Sequence, residues 1–540
     1  MPSPGAQAGA AGPADASADS GAERAPIAPA ELALLASVFV VAACGLLYEL
    51  VAGTLASWLL GDSVLQFSTI IGSYLFAMGV GSFLSRYVQR QLVATFLRVE
   101  LLVGLIGGLM PALLFASHHL LHSGLHGSGG LFRVLLYGLV LLVGTLVGLE
   151  IPLVMRILKA HFSQRWQLSQ LVSQVLTFDY LGALAVSLAF PLLLLPQLGP
   201  VRTGAVFGLL NVAVAGWAMW LFRAELRARR AHGIAAVGVA AVLLATLAGA
   251  DQLTTWAEDR FYGERIVHAS SSPYQRLVVT AGSGGELRLF LNGNLQFDSR
   301  DEYRYHEALV HPALAAHPAP RKVAILGGGD GLALREVLKH PGVEQVTLVE
   351  LDPAMTQLFS RDERLVRLNA RALQSPKVRV INADAFTWLE QTDEVFDAIV
   401  IDFPDPSNFS LGKLYTTSFY GLVDRHLAAT GWLVVQTTSP LVARGSFWTV
   451  AATLEAVGLQ TTPYHVHVPS FGEWGFIIAG RRPWRVPNAL PPGLRYLTLD
   501  GLPGLLHFPP DMARVPAEPN RLSNQVLVHR FEQEWGQVRH

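Results

Sequence analysis

Cysteine is almost missing from this chain. Cys44 is the one cysteine in 540 residues, so no disulfide can form within the chain and no multi-thiolate metal site can be built. Lying in an apolar run, Cys44 reads as a small buried hydrophobe. Charge is also scarce, with 15% of residues being Asp, Glu, Lys or Arg, where an ordinary soluble domain carries about 25%. The formal net charge of −1 gives no basic footprint for nucleic acid. The start of the chain lacks the basic flank and short apolar core of a cleavable signal peptide. Residues 1–31, Ala-, Gly-, Pro- and Ser-rich, hold too little apolar surface to offset the entropy of ordering and are expected to form a disordered tail. No internal repeat is visible, and the chain is too long for one ordinary domain.

What is present is apolar length. Hydrophobic residues make up 51% of the chain and the mean hydropathy is +0.37. Between 32 and 250 there are seven apolar runs, at about 33–56, 64–84, 96–116, 132–154, 179–198, 202–222 and 234–250. Each approaches the roughly 20 residues a helix needs to cross a bilayer. The seventh, mostly Ala, Gly and Val, is the weakest. Four acids, Glu49, Glu100, Glu150 and Asp179, lie in or beside the runs. Snorkelling, or pairing with Arg98, Arg156 and Lys159, accounts for the last three without a transport role. The histidines of "HHLLHSGLH" (118–126) lack acid or thiol neighbours and read as an exposed loop.

Basic residues cluster in alternate loops: Arg86 and Arg90; Arg156, Lys159 and Arg165; Arg223, Arg227, Arg229 and Arg230. The positive-inside rule turns those loops to the cytoplasm. Seven crossings would then send the rest of the chain outside.

After about 260 the pattern changes. "RKVAILGGG", "QVTLVELDP", "KVRVINADA", "DAIVIDFP" and "GWLVVQTTS" are short strand-like runs separated by helix-length segments, the pattern of a doubly wound parallel sheet. The expected fold is thus a multi-pass α-helical membrane domain followed by a Rossmann-like α/β fold. A small antiparallel β domain at 260–300 precedes the α/β domain at 301–485, and 486–540 has no assignment.

Carboxylates stand at successive strand ends. The turn "LGGGDG" lets backbone approach a ligand, Glu350 ends the next strand where an acid reaches ribose hydroxyls, and Asp384 ends the third where it can accept from an adenine amino group. Asp330 lies inside the turn and would repel a pyrophosphate, so a cationic adenosine-containing ligand fits better. Asp402 and Asp405 end the fourth strand in "DFPDP". An isolated Asp before Pro is ordinary turn chemistry, but five acids at neighbouring strand ends must be offset by something positive. No His or Cys set at metal spacing accompanies them, so an organic cation is expected and a metal is not. In "QFDSRDEYRYHEALVHPAL" (296–314), Asp298, Asp301, Glu302 and Glu307 alternate with Tyr303, Tyr305, His306 and His311, an acid and aromatic mixture suited to an alkylammonium chain.

Together these blocks resemble the spermidine synthase family of polyamine aminopropyltransferases. The resemblance spans about 265–480 through "SPYQRL", "LNGNLQFDSRDEYRYHEALVHPAL", "GGGDGLALREVLKH", "VELDP", "NADAF", "DFPDP" and "LYTTSFY". It implies a methyltransferase-like Rossmann fold and transfer of an aminopropyl group from decarboxylated S-adenosylmethionine, a co-substrate rather than a cofactor, to putrescine. It further implies that Gln275, Glu350, Asp384 and Ala385 hold the nucleoside, that Tyr305, His306, Asp330 and Asp405 meet the amine or aminopropyl chain, that Asp402 accepts the proton, and that Leu414 and Tyr415 close over the adenine. A homodimer or homotetramer is implied as well. Membrane-fused members of the family imply lipid as a partner and the inner membrane as location, with a cytoplasmic active site because the donor is made there. Two departures bear on the acceptor: Phe403 and Pro404 replace small polar residues, and "VPSFGEWGF" replaces a segment that usually supplies a tyrosine. A methyltransferase on the same fold would explain the glycine turn and Glu350 but not the "DxxDP" acids. A polyamine transporter or sensor with a nucleoside-binding domain is the reading from another class.

Overall fold

The computed structural model describes residues 29–60, 63–122, 129–162, 168–250, 252–253 and 262–538. Of the tail expected at 1–31, residues 1–28 lie outside them and 29–31 open the first helix instead. Seven helices open the described chain: α1 (Pro29–Leu60), α2 (Ser63–Leu84), α3 (Leu92–His122), α4 (Gly129–Phe162), α5 (Leu168–Ala189), α6 (Leu195–Leu221) and α7 (Arg229–Ala248). Among the described residues six stretches are long and apolar enough to cross a membrane. One of them, Ser169–Leu221, runs 53 residues, about 80 Å as a single helix. It is broken where Gly199 takes φ 70 and ψ 171 ahead of Pro200, and both halves pack on α1. It is therefore a helical hairpin. His118–His122 form the last turn of α3 rather than a loop, and 123–126 lie outside the described residues.

Small residues bring the helices together. A Cβ on Gly104 would stand 2.8 Å from the carbonyl oxygen of Gly208, and one on Gly208 would stand 2.5 Å from that of Gly104. Gly108 and Gly204 repeat the contact one turn further along. On α4, Gly148 lies against the backbone of Met78 on α2. These are small-xxx-small seams, through which helices gain backbone contact without a hydrophobic drive from water.

The snorkelling expectation fails for two acids. Glu100 and Glu150 are wholly buried in the bundle, and both carboxyl oxygens of Glu100 lack a hydrogen-bond partner among the described residues. Arg156 instead donates to the carbonyl of Val88 at 2.7 Å and to that of Ser85, while Arg98 and Lys159 are exposed. Arg156 is drawn to backbone carbonyls at the bundle end while the other two basic side chains face outward, leaving the acids inside.

Next comes a four-stranded antiparallel sheet, β1 (Arg265–Ser271), β2 (Arg276–Ala281), β3 (Leu287–Leu291) and β4 (Asn294–Asp298), in chain order. The α/β unit follows: α8 (Glu302–Ala315), β5 (Lys322–Gly327), α9 (Leu332–Val337), β6 (Gln345–Glu350), α10 (Pro353–Arg361), α11 (Glu363–Leu368), β7 (Val378–Asn382), α12 (Ala385–Gln391), β8 (Phe396–Asp402), α13 (Thr417–Arg425), β9 (Leu427–Thr437), α14 (Arg444–Ala456), β10 (Gln460–Val468) and β11 (Gly472–Gly480). Its sheet has the order β10-β11-β9-β8-β5-β6-β7. β5 to β9 run parallel, and the β10–β11 hairpin adds antiparallel strands at one edge. The cores of β5 and β8, in the middle of the sheet, are continuous Val, Ile, Leu and Ala buried on both faces, as a covered parallel sheet requires. The small sheet packs Leu277, Val279, Leu289 and Phe297 on Met355, Phe359 and Leu365 of α10 and α11. A final helix, α15 (Val526–Val538), packs on α14.

Candidate active site

From β5 the chain proceeds to β6 on one side, while β8 pairs with β5 on the other. Their carboxyl ends therefore form the switch point at which open α/β sheets bind ligands. Gly327 pairs with Asp402 across this point. Gly327 and Gly328 take φ 83 and 63, and a Cβ on Gly327 would fall 2.2 Å from the carbonyl oxygen of Asp402. Only glycine both adopts that backbone and leaves room for the neighbouring strand.

Asp402 accepts a hydrogen bond from the Tyr305 hydroxyl at 2.7 Å. Burial raises its carboxyl, while His306 and Tyr305 oppose the shift. Burial and the Asp402 carboxylate push the Tyr305 phenol far up, so it remains a donor. His306, one residue on in α8, is buried, with Nδ1 2.8 Å from the Glu302 carboxylate. Glu302 is gripped in turn by Arg335 through two bonds of 2.9 Å. Burial alone would lower the imidazole, but the bond to Glu302 overcomes it and holds His306 above its ordinary value. Asp330 caps the start of α9 through Leu332 N at 2.9 Å, and burial raises it to about 6, with Asp402 adding to the shift and His306 opposing it.

At the end of β6, Glu350 accepts from Gly329 N at 3.2 Å and Asp352 N at 2.9 Å. Burial raises it to about 7 despite those bonds. Gln275 reaches toward this corner from the loop after β1, donating to Asp352 at 3.0 Å beside the 2.7 Å bond from Ser272. Asp384 caps α12 through Phe386 N and Thr387 N, and its other oxygen meets Lys413 Nζ at 2.7 Å. Burial opposes ionisation, but Lys413 and the two amides hold this carboxyl below its usual range. Ala385 is buried at the first turn of α12.

Asp405 lies three residues beyond Asp402 with Oδ1 buried and unpartnered among the described residues. Burial raises it to about 7 against a hydrogen bond from Gln436. Gln436 also donates to the Phe403 carbonyl and accepts from Trp474 Nε1 at 3.1 Å. The Tyr415 hydroxyl donates to the carbonyl of Pro404 at 3.1 Å and receives from Gln436 at 3.2 Å. Tyr415 therefore braces the "DFPDP" loop from below. The sequence reading missed Gln436 and Trp474. Each lies inside an apolar strand run, and a polar residue between valines gives no signal until its neighbours are known.

The acidic stretch at 296–314 is corrected. Asp298 binds Arg288 and Arg300 at 2.7 and 2.6 Å, and Asp301 accepts from Ser470 N and Oγ. Glu302 belongs to Arg335, and Glu307 accepts three backbone amides, those of Arg495, Tyr496 and Leu497. Arg495 covers the Tyr303 ring at 3.7 Å, and His311 bonds Glu336 and His340. These acids are taken up by partners within the chain, local for Asp298 and distant in sequence for Asp301, Glu302 and Glu307, so the segment contributes Tyr305 and His306 to the crevice and not a row of free carboxylates. Among the described residues no Lys or Arg pairs with Asp330, Asp402 or Asp405.

A doubly wound sheet, a glycine turn with an acid inside it and unbalanced carboxyls at the switch point form a crevice suited to a cationic ligand. Comparison with known proteins narrows the class. Residues 302–483 match the model described as "Spermine/spermidine synthase domain". The chain is 56% identical over 517 residues to polyamine aminopropyltransferase 1 of Ralstonia nicotianae, covering 94% of this chain and 96% of the relative. It is 50% identical over 511 residues to the polyamine aminopropyltransferase of Leptospira interrogans, covering 94% and 99%. A solved spermidine synthase in complex with the transition state analogue AdoDATO is 25% identical, with a TM-score of 0.41, over 45% of this chain and 85% of that one. The chain belongs to the polyamine aminopropyltransferase family and is an enzyme of polyamine biosynthesis.

Proposed function

We propose that the enzyme transfers the aminopropyl group of decarboxylated S-adenosylmethionine to putrescine, giving spermidine and methylthioadenosine. The observation that carries this reading is the trio Asp330, Asp402 and Asp405, buried or half-buried at one crevice and paired with no basic side chain among the described residues. Carboxyls whose protons are held by burial release them when an alkylammonium enters.

The donor's nucleoside lies along Gln275, Glu350, Asp384 and Ala385. Glu350 takes the ribose hydroxyls, and the Asp384 oxygen now held by Lys413 takes the amino group of the base. His306, Asp330 and Asp405 hold the amine and aminopropyl chain, Tyr305 fixes Asp402, and Leu414 and Tyr415 belong to the covering loop. In the transfer a nitrogen lone pair attacks the methylene next to the sulfonium. The C–S bond breaks toward sulfur, leaving a neutral thioether. The nitrogen must lose a proton, since a free alkylamine is charged below about 10.4, and Asp402 accepts it. The electrophile is already activated, so holding the two reactants in line accounts for most of the remaining acceleration. Trp474 on Gln436, packed against Phe471, puts apolar surface beside that amide, which suits a short diamine.

The helices anchor this domain in the inner membrane, with the catalytic domain on the cytoplasmic side where its donor is made. Supporting the anchor, Phe76, Val134, Leu192 and Ile234 are 68%, 69%, 73% and 74% exposed on the bundle surface, which water would disfavour and lipid would not.

The test is transfer of a labelled aminopropyl group to putrescine by wild type and by Asp402→Asn. The variant is expected to lose about 10²–10⁴ in kcat while its methylthioadenosine affinity stays within about twofold. Wild-type turnover by Asp402→Asn removes the proton-acceptor assignment.

A further inference from the structure

The loop 403–416 between β8 and α13 serves both halves of the crevice. It carries Asp405 at its start and Lys413, on Asp384, near its end. What fixes its end is a residue more than a hundred positions away. The Asn520 side chain donates to the carbonyls of Gly412 at 3.2 Å and Tyr415 at 3.1 Å, and its Oδ1 accepts from Leu527 N at 3.2 Å. Its backbone N donates to Thr453 Oγ1 on α14 at 2.9 Å, and its carbonyl accepts from Thr417 N at 2.9 Å. Asn520 is wholly buried, so its amide binds carbonyls that water cannot reach, where losing a partner is most costly.

The chain after Asn520 continues over the same loop. Gly412 lies so close to α15 that a Cβ there would meet Val528 Cγ2 at 2.4 Å, and Phe409 meets the His529 ring at 5.4 Å between centroids. α15 is itself bolted down. Glu534 accepts from Gly445 N at 2.7 Å and Ser446 N at 3.0 Å, capping α14, and Trp535 Nε1 donates to Thr438 Oγ1 at 2.9 Å, just past Gln436 in the amine pocket. Asn520, Leu527, Val528, His529, Glu534 and Trp535 all lie beyond the matched domain, which ends at 483.

We propose that residues 519–538 are a strap that holds the 407–416 loop in place over the adenosyl site, with Asn520 as its positioning residue. The proposal rests on reading the Glu350–Asp384 corner as the nucleoside site. All of Asn520's bonds to the loop fall between Gly412 and Thr417, at the Lys413 end. The strap therefore pre-orders the nucleoside side and leaves the Asp402–Asp405 end to Gln436 and Tyr415. Loosening it charges the entropy of ordering the loop to donor binding.

The experiment uses the full chain in detergent. Asn520→Ala is expected to raise the methylthioadenosine Kd, read by calorimetry, and the donor KM by about tenfold. The amine KM and kcat at saturating donor should stay within about twofold, and a lysine-specific protease should cut after Lys413 in the variant sooner than in wild type. A proportional change in both KM values, a fall in kcat alone, or no change overturns the proposal. Gly412→Ala guards against simple misfolding: its Cβ meets both Val528 and Gln525, so it should weaken methylthioadenosine binding, and adding Val528→Ala with Gln525→Ala in the same chain should restore it; failure to restore overturns the strap. If wild type binds methylthioadenosine but transfers nothing, the reaction assigned above fails and the strap stands. Wild type without that affinity removes the nucleoside site and the strap with it.

Discussion

Asp405 has a buried carboxyl with Oδ1 unpartnered among the described residues and only the neutral Gln436 beside it, so its strongest partner is an ammonium ion from outside the chain. Asp405→Asn removes that charge while keeping the shape and the contact to Gln436. The expected result is an amine KM raised by about tenfold or more, as loss of a charge-assisted bond gives, with the donor KM changed by less than about twofold; steady-state kinetics with each substrate varied separates the two. Protonation should act in the same direction. Asp405 and Glu350 are raised to about 7 and Asp330 to about 6, above their unfolded values near 4. The unfolded chain gives up these protons first, so the ligand-free enzyme loses stability as pH rises from about 4 to 7. A diamine stays charged throughout and selects the ionised carboxyls. Its affinity should climb between pH 5.5 and 7.5 with protons released on binding, checked by calorimetry in buffers of different ionisation enthalpy; a flat profile would mean that the acids do not meet the amine. Asp402 and Asp405 were legible in the sequence because an apolar strand ending in acids and prolines has few structural uses. Glu302 and Glu307 were misread as ligand groups because their partners, Arg335 and the amides of 495–497, are far away in the chain.

Whole elements divide in the same way. The parallel strands were readable from runs such as "VAILG", since burial on both faces removes the need for polar alternation. The kink at Gly199 inside α6 falls in the gap between the fifth and sixth apolar runs, 179–198 and 202–222. The pairing of α3 with α6 was not readable, because Gly104, Gly108, Gly204 and Gly208 look like ordinary glycines in membrane helices until their carbonyl contacts are seen. That pairing sets the third prediction. Gly208→Val puts a branched side chain where even a Cβ stands 2.5 Å from the Gly104 carbonyl, so the α3–α6 seam must open. The detergent-solubilised variant is expected to melt several degrees lower, at a cost of about 1–3 kcal/mol. Gly216→Val, on the same helix with nothing near its Cβ, should melt like wild type. Equal melting of the two would refute the seam. The C-terminal segment escaped assignment for a related reason: its anchors, Asn520, Glu534 and Trp535, depend on partners scattered through the α/β unit.

At the scale of the molecule, two ends of the bundle are distinguishable. Arg156 at the end of α4 binds carbonyls at the end of α2, and His161 meets Glu225, between α6 and α7, at 2.6 Å. The basic loops therefore gather at one end. α7 starts there and runs 20 apolar residues away, with Leu243 packed on Gly108 and Gly208, so the chain leaves for the catalytic domain at the opposite end. The positive-inside rule would turn the basic end to the cytoplasm, whereas the supply of an adenosyl donor requires the opposite. The charge rule biases insertion and can be overridden, but an enzyme cut off from its donor has no flux, and on that ground we propose the cytoplasm for the catalytic end. A phosphatase and a fluorescent reporter fused separately after His540 read the two cases against each other, the first active only outside and the second only inside. Fluorescence without phosphatase activity is expected, and reversing Arg86, Arg90, Arg227 and Arg230 to Glu should then leave the orientation unchanged. Phosphatase activity without fluorescence would place the acidic crevice outside the cell and require the donor to be delivered there.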